Sequence, residues 1–266
     1  MPRRRPKVNN LMLAVWSLWR REMVRFYRDR SRVIGGLVPP VIFWFFIGSG
    51  LSGSFSVGSG DTALNYRQYF FPGTLVLIFL FTAVFSTISI IEDRREGFLQ
   101  SVLVAPVPRM AIVLGKLFGS ASLAFLQGMP FFIAAPFIGL HLTLSSLLIS
   151  LFILFGVAFS LAGVGFFIAW RMDSTQGFHA IMNMGLIPLW LLSGALFPIH
   201  NIPGWLAMLV RLNPLTYSIA ALQHELFPPG AIPDLPPLGF CVAVIVIFSL
   251  ATLCAAVFIT QRGRDQ

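Results

Sequence analysis

Six stretches of the sequence are apolar over lengths near or above what is needed to cross a lipid bilayer. They run from about 33 to 51, 69 to 91, 110 to 140, 147 to 170, 180 to 196 and 238 to 260. A helix needs about 20 predominantly apolar residues to span the hydrocarbon layer, so each stretch predicts a transmembrane helix.

The composition excludes an ordinary soluble domain. Only 11% of the 266 residues are charged and 56% are hydrophobic, whereas soluble domains carry about 25% charged residues. We therefore expect an all-α integral membrane protein. Residues 33–266 form its transmembrane domain, and residues 1–32 form a separate basic segment.

The basic N-terminal segment indicates contact with membrane lipids rather than with nucleic acid. Much of the net charge of +9 lies in the first 32 residues, beside the first span, where lipid headgroups are the nearest negative charges. Residues 1–9 are predicted to be a basic tail. Residues 10–32 are predicted to be an amphipathic helix in the membrane plane that ends or bends near Asp29. Its basic face is expected to lie at the phosphates and carries Arg21, Arg25, Arg28 and Arg32.

The distribution of basic residues predicts the orientation. With the N-terminus in the cytoplasm, all of the 19 Lys and Arg except Arg67 and Arg211 lie on or near the cytoplasmic side. The positive-inside rule therefore predicts a multi-pass protein of the inner membrane with both termini cytoplasmic.

A charged cluster follows the second span and consists of Glu92, Asp93, Arg94, Arg95 and Glu96. After Gly97, the spacing of the apolar residues Phe98, Leu99, Val102 and Leu103 predicts a short amphipathic helix over about 92–105, which is ended by Pro106 and Pro108. One interpretation is a rigid lever pressed against a soluble partner. The other is an ordinary juxtamembrane loop whose charges simply face water and headgroups.

The segment from 197 to 227 contains two apolar runs, 205–212 and 219–226, that are too short to cross the membrane. Prolines and Asn213 separate them. We expect a re-entrant helical hairpin in the outer leaflet, packed against protein so that its backbone groups are satisfied. The alternative is a loosely attached external loop.

The residues indicate no catalytic, nucleotide or metal site. Gly115-Lys116 lacks the rest of a phosphate-binding loop, and the four histidines are scattered over different loops. Lys116 is the one charge embedded in a span and is expected to snorkel to the interface. The spans also lack the titratable relay typical of ion-coupled carriers. Either a partner supplies the energy, or the protein is a passive channel.

Two stretches resemble the membrane subunit of ABC exporters of the ABC-2 type. The first is Glu92 to Gly97 with Leu103, Ala105-Pro106-Val107, Arg109 and Leu114-Gly115-Lys116, which is similar to the family's D-R-E-G-T-L-E, P-V-S-R and L-G-K. Phe98, Gln100 and Pro108 replace the usual Thr, Glu and Ser. The second stretch runs from Leu186 to Gln223 and includes Pro203, Pro214 and Tyr217.

The resemblance implies a permease that pairs with a second copy of itself and with separate ATPase subunits. ATP and Mg would bind those subunits, while this chain would bind no cofactor or metal and would not be an enzyme itself. The residues expected to couple to the ATPase are Glu92, Asp93, Arg94, Arg95, Glu96, Gly97, Phe98, Leu99, Leu103 and Arg109. The interfacial helix is expected to contact the same subunit.

The resemblance also implies a substrate pathway between the two copies. Its expected lining is Phe43, Trp44, Phe45, Phe81, Phe85 and Trp190, and the residues of an external gate are Pro203, Asn213, Pro214 and Tyr217. The expected activity is export of a hydrophobic or amphipathic substrate, namely a drug, a lipid or a lipid-linked glycan. A polysaccharide exporter is an alternative within the family, and an ATPase-independent channel or secondary carrier is an alternative outside it.

Overall fold

The computed structural model describes residues 8–53, 56–57, 63–140, 142–199 and 202–262, so most of the predicted basic tail lies outside the described residues. The structure is helical almost throughout. Its α-helices are α1 (Val8–Arg28), α2 (Arg30–Leu51), α3 (Tyr66–Ser86), α4 (Ser89–Arg95), α5 (Phe98–Val104), α6 (Arg109–Ile133), α7 (Leu144–Ala169), α8 (Thr175–Leu191), α9 (Gly204–Leu212), α10 (Pro214–Leu226) and α11 (Leu238–Arg262). A short 3₁₀ helix (Ala135–Ile138) follows α6, and two-residue strands β1 (Ser56–Val57) and β2 (Leu64–Asn65) pair antiparallel before α3.

Five segments are long and apolar enough to cross a membrane: Arg32–Leu51, Tyr66–Arg95, Arg109–Ile138, Leu144–Ala169 and Leu238–Arg262. They coincide with five of the six predicted spans, and the predicted all-α membrane class is confirmed. The remaining predicted span, 180–196, corresponds to α8, which has 17 residues and is shorter than the five. The predicted helix break near Asp29 is confirmed, because α1 ends at Arg28 and α2 begins at Arg30.

Helix α3 is the centre of the bundle. The most apolar part of its span is 89% buried, against 17% for α2 and 22% for α11. A helix that is apolar on all sides can be covered by neighbours on all sides, and α3 contacts α2, α6, α7, α8 and α10. Helices α2 and α11 therefore lie at the edge of the bundle and leave apolar surface exposed.

Helix α7 packs closely on α11 because two of its glycines leave room. A Cβ added at Gly163 would lie 2.6 Å from the side chain of Thr252, and one added at Gly156 would lie 2.9 Å from Ile245. Small residues at helix contacts are typical of membrane bundles. Gly156 and Gly163 therefore allow the close approach of α7 and α11.

One end of the bundle collects most of the described charges. It comprises residues 18–32, 89–109, 170–175 and 258–262, and we refer to it as the charged end. Helix α1 lies there against α6, where a Cβ added at Gly115 would be 2.7 Å from Leu18 and one added at Gly119 would be 2.9 Å from Glu22. This close packing brings the polar side chains of α1 onto those of α4 and α6.

Candidate functional site

The segment after the second span consists of two helices rather than the single helix predicted over 92–105. Helix α4 ends at Arg95, and α5 begins at Phe98. Between them Gly97 has φ 75°, in the left-handed region that glycine adopts at little cost. The prediction was wrong at this point because the charge and apolar patterns were read as one amphipathic helix. The acidic and basic residues belong to α4, which is part of the Tyr66–Arg95 span, and the apolar residues belong to α5.

The acidic residues of α4 bind arginines of α1. Asp93 is fully buried and accepts from Arg21 Nη2 and Arg25 Nη1, each at 2.6 Å from its Oδ1. Arg25 also lies 2.9 Å from Glu92 and 3.1 Å from Glu96. Burial acts to lower the pKa of Arg21, but the hydrogen bond and the charge of Asp93 raise it above its ordinary value. These contacts join α1 firmly to the end of the second span.

The predicted position of the basic face of α1 at lipid phosphates is therefore wrong for three of its four residues. Arg21 and Arg25 face carboxylates of the protein, and Arg32 pairs with Glu92 and, at 3.0 Å, with Asp29. Arg28 is exposed. A carboxylate within hydrogen-bond reach is a stronger partner for a guanidinium than a mobile headgroup, and periodicity cannot show such a partner.

Lys116 does not snorkel. Its side chain is 2% exposed, and Nζ lies 2.6 Å from Glu22 Oε1 and 3.0 Å from Ser89 Oγ. It also donates to Asp93. Ser89 Oγ in turn donates to Glu22 Oε2 at 2.7 Å. We call Glu22, Ser89, Asp93 and Lys116 the buried polar cluster; it connects α1, α4 and α6.

Glu22 and Ser89 belong to the buried polar cluster, and the sequence analysis did not identify them as candidate site residues. The available signal was Glu22 itself, an acidic residue among the arginines of α1, together with one lysine inside a span. Buried charges in a membrane bundle are paired, so an isolated lysine in a span calls for an acidic partner. The two residues are 94 positions apart, and the fold supplies their contact.

Three arginines of the predicted coupling set hold the carbonyl ends of other helices. Arg94 donates to the carbonyl oxygens of Trp170 and of Met172, the latter at 3.1 Å, just after α7. Arg95 Nη2 donates to Asp173 O at 2.6 Å. Arg109 donates to Thr260 O near the end of α11. The last carbonyls of a helix lack partners within it, and basic side chains satisfy them here.

The remaining coupling residues lie on or beside α5. Leu99 is buried, and Phe98 packs under Arg21, whose guanidinium carbon lies 3.6 Å from the ring centroid. Leu103 is partly buried against the core. The outward face of α5 carries Gln100, Ser101 and Val104, with Val104 88% exposed. The charges of the segment thus lie on and just after α4, where they pair with other parts of the protein, and the exposed tip of α5 is uncharged.

A cavity of about 390 Å³ opens between the α1–α2 junction, α3 and α8. Phe81 and Phe85, two of the residues expected to line the pathway, line this cavity together with Gly36, Thr82 and His179. Asp29, Arg32 and Glu92 also line it, on the side of the charged end. Thr82 Oγ1 is buried and has no hydrogen-bond partner among the described residues. The cavity combines aromatic walls with free hydrogen-bonding capacity.

The other four predicted lining residues lie elsewhere. Trp190 is 5% exposed and donates from Nε1 to Gly73 O at 2.7 Å, so it fills the core. Trp44 is partly buried and donates to Arg67 O at 3.0 Å. Phe43 and Phe45 are exposed on the outer surface of α2. A tryptophan with a satisfied N–H inside the bundle is a packing residue in this arrangement.

Comparison with known proteins places the chain in a family. The model of the ABC-2 type transporter family matches residues 13–227, which include α2 to α10 and most of α1. The chain belongs to the ABC-2 type transporter family. The inner membrane transport permease YadH of Escherichia coli (strain K12) is 28% identical over 261 residues, covering 95% of this chain and 96% of YadH. Nodulation protein J of Rhizobium meliloti (strain 1021) is 26% identical over 210 residues, covering 78% of this chain and 79% of that protein. The resemblance seen in the sequence is therefore confirmed.

In this ABC-2 permease, the segment predicted to be an external hairpin is a pair of helices, α9 and α10, bent by 82°. Asn213 lies at the bend, where its Oδ1 accepts from Leu215 N at 3.0 Å and its Nδ2 donates to Leu189 O at 2.6 Å. Pro203 precedes α9 and Pro214 begins α10. Tyr217 OH donates to Arg211 O at 2.7 Å and fastens one helix to the other. The predicted gate residues thus lie at the ends and the bend of this pair.

Proposed function

We propose that this chain is the transmembrane permease subunit of an ATP-driven exporter. It moves a hydrophobic or amphipathic substrate, such as a drug, a lipid or a lipid-linked glycan, out of the cytoplasm or the inner leaflet. A separate ATPase subunit binds ATP and Mg, and the charged end faces the cytoplasm. Membership of the ABC-2 type family and the similarity to a protein named an inner membrane transport permease support this proposal.

The proposal rests on the different contacts that α4 and α5 make. The side chains of α4 bind α1, α6 and the turn after α7. The outward face of α5 makes no side-chain hydrogen bond or ion pair with another helix among the residues that the structure describes. A partner that presses on α5 therefore acts, through α4, on α3 and on three neighbouring helices at once. Such a contact transmits force only if it differs between the two nucleotide states of the ATPase.

The cavity between α2, α3 and α8 supports an amphipathic substrate. Its aromatic walls, formed by Phe81 and Phe85, suit an apolar group, and Thr82 and the charged mouth suit a polar one. Helices α2 and α8 also expose apolar residues that a second copy would cover, among them Phe46 and Met184. We place the pathway between two such copies, with the bent pair α9–α10 as its outer gate.

Docking on α5 is tested with Val104→Arg in the chain co-expressed with the ATPase subunit that co-purifies with the unmodified chain. A charge on this uncharged, 88% exposed tip is expected to reduce co-purification of the ATPase by about tenfold, the loss typical of a central interface residue. The matched control is Leu212→Arg, which changes a 70% exposed leucine on α9, away from the charged end. Equal co-purification in both variants would contradict docking on α5.

Dependence on the partner is tested in liposomes. The permease alone is expected to give no substrate flux, and ATP-dependent flux is expected only when the ATPase subunit is present. Flux through the permease alone would favour a channel or secondary carrier. Competition by drugs, lipids, lipid-linked glycans and free polysaccharide in the complete system would then identify the cargo.

A further inference from the structure

A groove of about 690 Å³ lies at the charged end between α5 and the ends of α7 and α11. Its base is apolar and includes Leu99, Trp170 and Ile259, of which Leu99 and Ile259 are buried. Its edges carry Arg171 and Arg262, both exposed. The groove is separate from the cavity that lies between α2, α3 and α8.

The groove has a surplus of positive charge that the described residues do not neutralise. Of its charged lining residues, Arg94 and Asp173 pair at 2.9 Å. No carboxylate of the described residues lies in ion-pair contact with Arg171 or Arg262. Each of these two guanidiniums lies over an aromatic ring four residues earlier in the chain. The guanidinium carbon of Arg171 is 4.9 Å from the ring centroid of Phe167, and that of Arg262 is 4.4 Å from the ring centroid of Phe258. Stacking on a ring restricts the guanidinium and leaves its N–H groups available.

The C-terminal carbonyl groups of α7 and α11 do not repel an anion from the groove. A helix C-terminus carries partial negative charge. Here Arg94 donates to carbonyls at the end of α7, and Arg109 donates to those at the end of α11. The negative ends are therefore already bound, and the net field of the groove remains positive.

The groove continues into the exposed apolar surface of α11. Helices α7 and α11 are candidate membrane spans, and the groove lies where both end. The ends of a membrane-spanning helix meet the headgroup layer. The exposed side of α11 carries Ile247, Leu250 and Phe258, at spacings typical of one helix face, and Phe258 lines the groove. An apolar stripe thus leads from the hydrocarbon layer to the two arginines.

We propose that this groove binds the anionic headgroup of a membrane phospholipid, whose acyl chain lies along the exposed face of α11. Two forked guanidiniums recognise a phosphate, and the stripe distinguishes a lipid from a free anion. The bound lipid would contact Leu99 of α5 and residues of α7 and α11 together, and would fix α5 relative to the bundle. The groove is separate from the proposed substrate cavity, and it borders the proposed ATPase-docking face because Gln100 of α5 lines it.

The test is native mass spectrometry of the intact permease titrated with phosphatidylglycerol, and in parallel with phosphatidylcholine of the same chains. The double variant Arg171→Gln/Arg262→Gln is expected to bind phosphatidylglycerol about 30-fold more weakly. Each arginine near the membrane surface strengthens binding by a factor of about 5 to 6, and the two factors multiply. Binding of phosphatidylcholine is expected to be unchanged. The matched control is Arg20→Gln, an exposed arginine of α1 at the same end, which should change the affinity less than twofold. Arg171→Lys/Arg262→Lys keeps the charge without the fork and should restore only part of the binding.

Four results would overturn the proposal. The double variant could bind phosphatidylglycerol as tightly as the unmodified chain, or Arg20→Gln could lose as much affinity as the double variant. Millimolar inorganic phosphate could displace the lipid, which would assign the groove to a soluble anion. The double variant could retain the lipid but lose co-purification of the ATPase, which would assign the arginines to a protein partner. A melting temperature equal to that of the unmodified chain shows that a loss of binding is not a loss of folding.

Discussion

The buried polar cluster gives the sharpest quantitative prediction, which concerns Lys116 and Glu22. Lys116→Met removes the cation that faces Glu22 at 2.6 Å, while Asp93 keeps Arg21 and Arg25. Glu22 is 3% exposed and would then be a buried carboxylate whose nearest partner is the Ser89 hydroxyl, with Arg21 Nη1 at 3.6 Å, too far for a hydrogen bond, as its remaining cation. In Glu22→Met/Lys116→Met both charges are gone, and two side chains of similar length fill the same space.

The magnitudes differ because an unpaired buried charge costs more than an absent pair. Removing one partner of a buried ion pair costs about 3–5 kcal/mol, whereas replacing both by apolar groups is often neutral. For a chain of this size, about 1 kcal/mol corresponds to about 2–4 °C in melting temperature. Lys116→Met is therefore expected to melt about 6–20 °C lower than the unmodified chain. The double variant is expected to recover most of that loss, to within about 3 °C of the unmodified chain.

The assay is thermal unfolding of the purified permease in one detergent, with Glu96→Gln as the control. The Glu96 side chain is 59% exposed and pairs with Arg25 at 3.1 Å, so its loss should cost less than about 1 kcal/mol. The reasoning fails if the double variant is as unstable as Lys116→Met, because Lys116 would then act on something other than the charge of Glu22. It also fails if Glu96→Gln is as harmful as Lys116→Met.

Three further substitutions test the cavity, the turn between α4 and α5, and the bend between α9 and α10. Gly36→Ala would place a methyl group 2.9 Å from Thr82 Oγ1, at a cost of about 1–3 kcal/mol, and should reduce substrate efflux from cells. In the control Gly35→Ala, the new methyl group meets no described atom within 4 Å, and efflux should be unchanged. Gly97→Ala forces a non-glycine residue to φ 75° at a cost of about 1–2 kcal/mol, although no described atom lies within 4 Å of the new methyl group. Because this strains the turn between α4 and α5, the variant should transport less substrate per ATP hydrolysed in liposomes. Asn213→Ala removes the cap of α10 and its bond to Leu189, and should lower the melting temperature by an amount equivalent to about 1 kcal/mol.

The helices could be predicted from the sequence because hydrophobicity acts locally. Five apolar stretches became helices with the expected positions, and Gly156 and Gly163 mark the close contact of α7 with α11. The break at Asp29 was also predictable, since Arg30 would otherwise have fallen on the apolar face. Each of these inferences needs only a window of one or two helical turns.

The contacts of the charged residues could not be predicted, because they depend on which helices become neighbours. Arg21 and Asp93 are 72 positions apart. From the local pattern, a lysine near the end of a span and an arginine face beside a membrane both indicate headgroups. The fold instead places Lys116 and Arg21 against carboxylates, and it places Trp190 in the core although its position in a span suited the pathway equally well.

The arrangement also changes what a charge reversal at residues 94–96 would measure. Arg94 and Arg95 donate to backbone carbonyls of the turn after α7, and a glutamate at either position has no donor for them. Reversal would therefore release α4 from α7 and disturb coupling even if no partner ever touched these residues. In our proposal the partner docks on the uncharged tip of α5, where Val104 is exposed, and the charges of α4 hold the segment against the bundle. A variant of the tip that abolishes ATPase binding without changing the melting temperature would separate the two roles, since the brace behind it would remain intact.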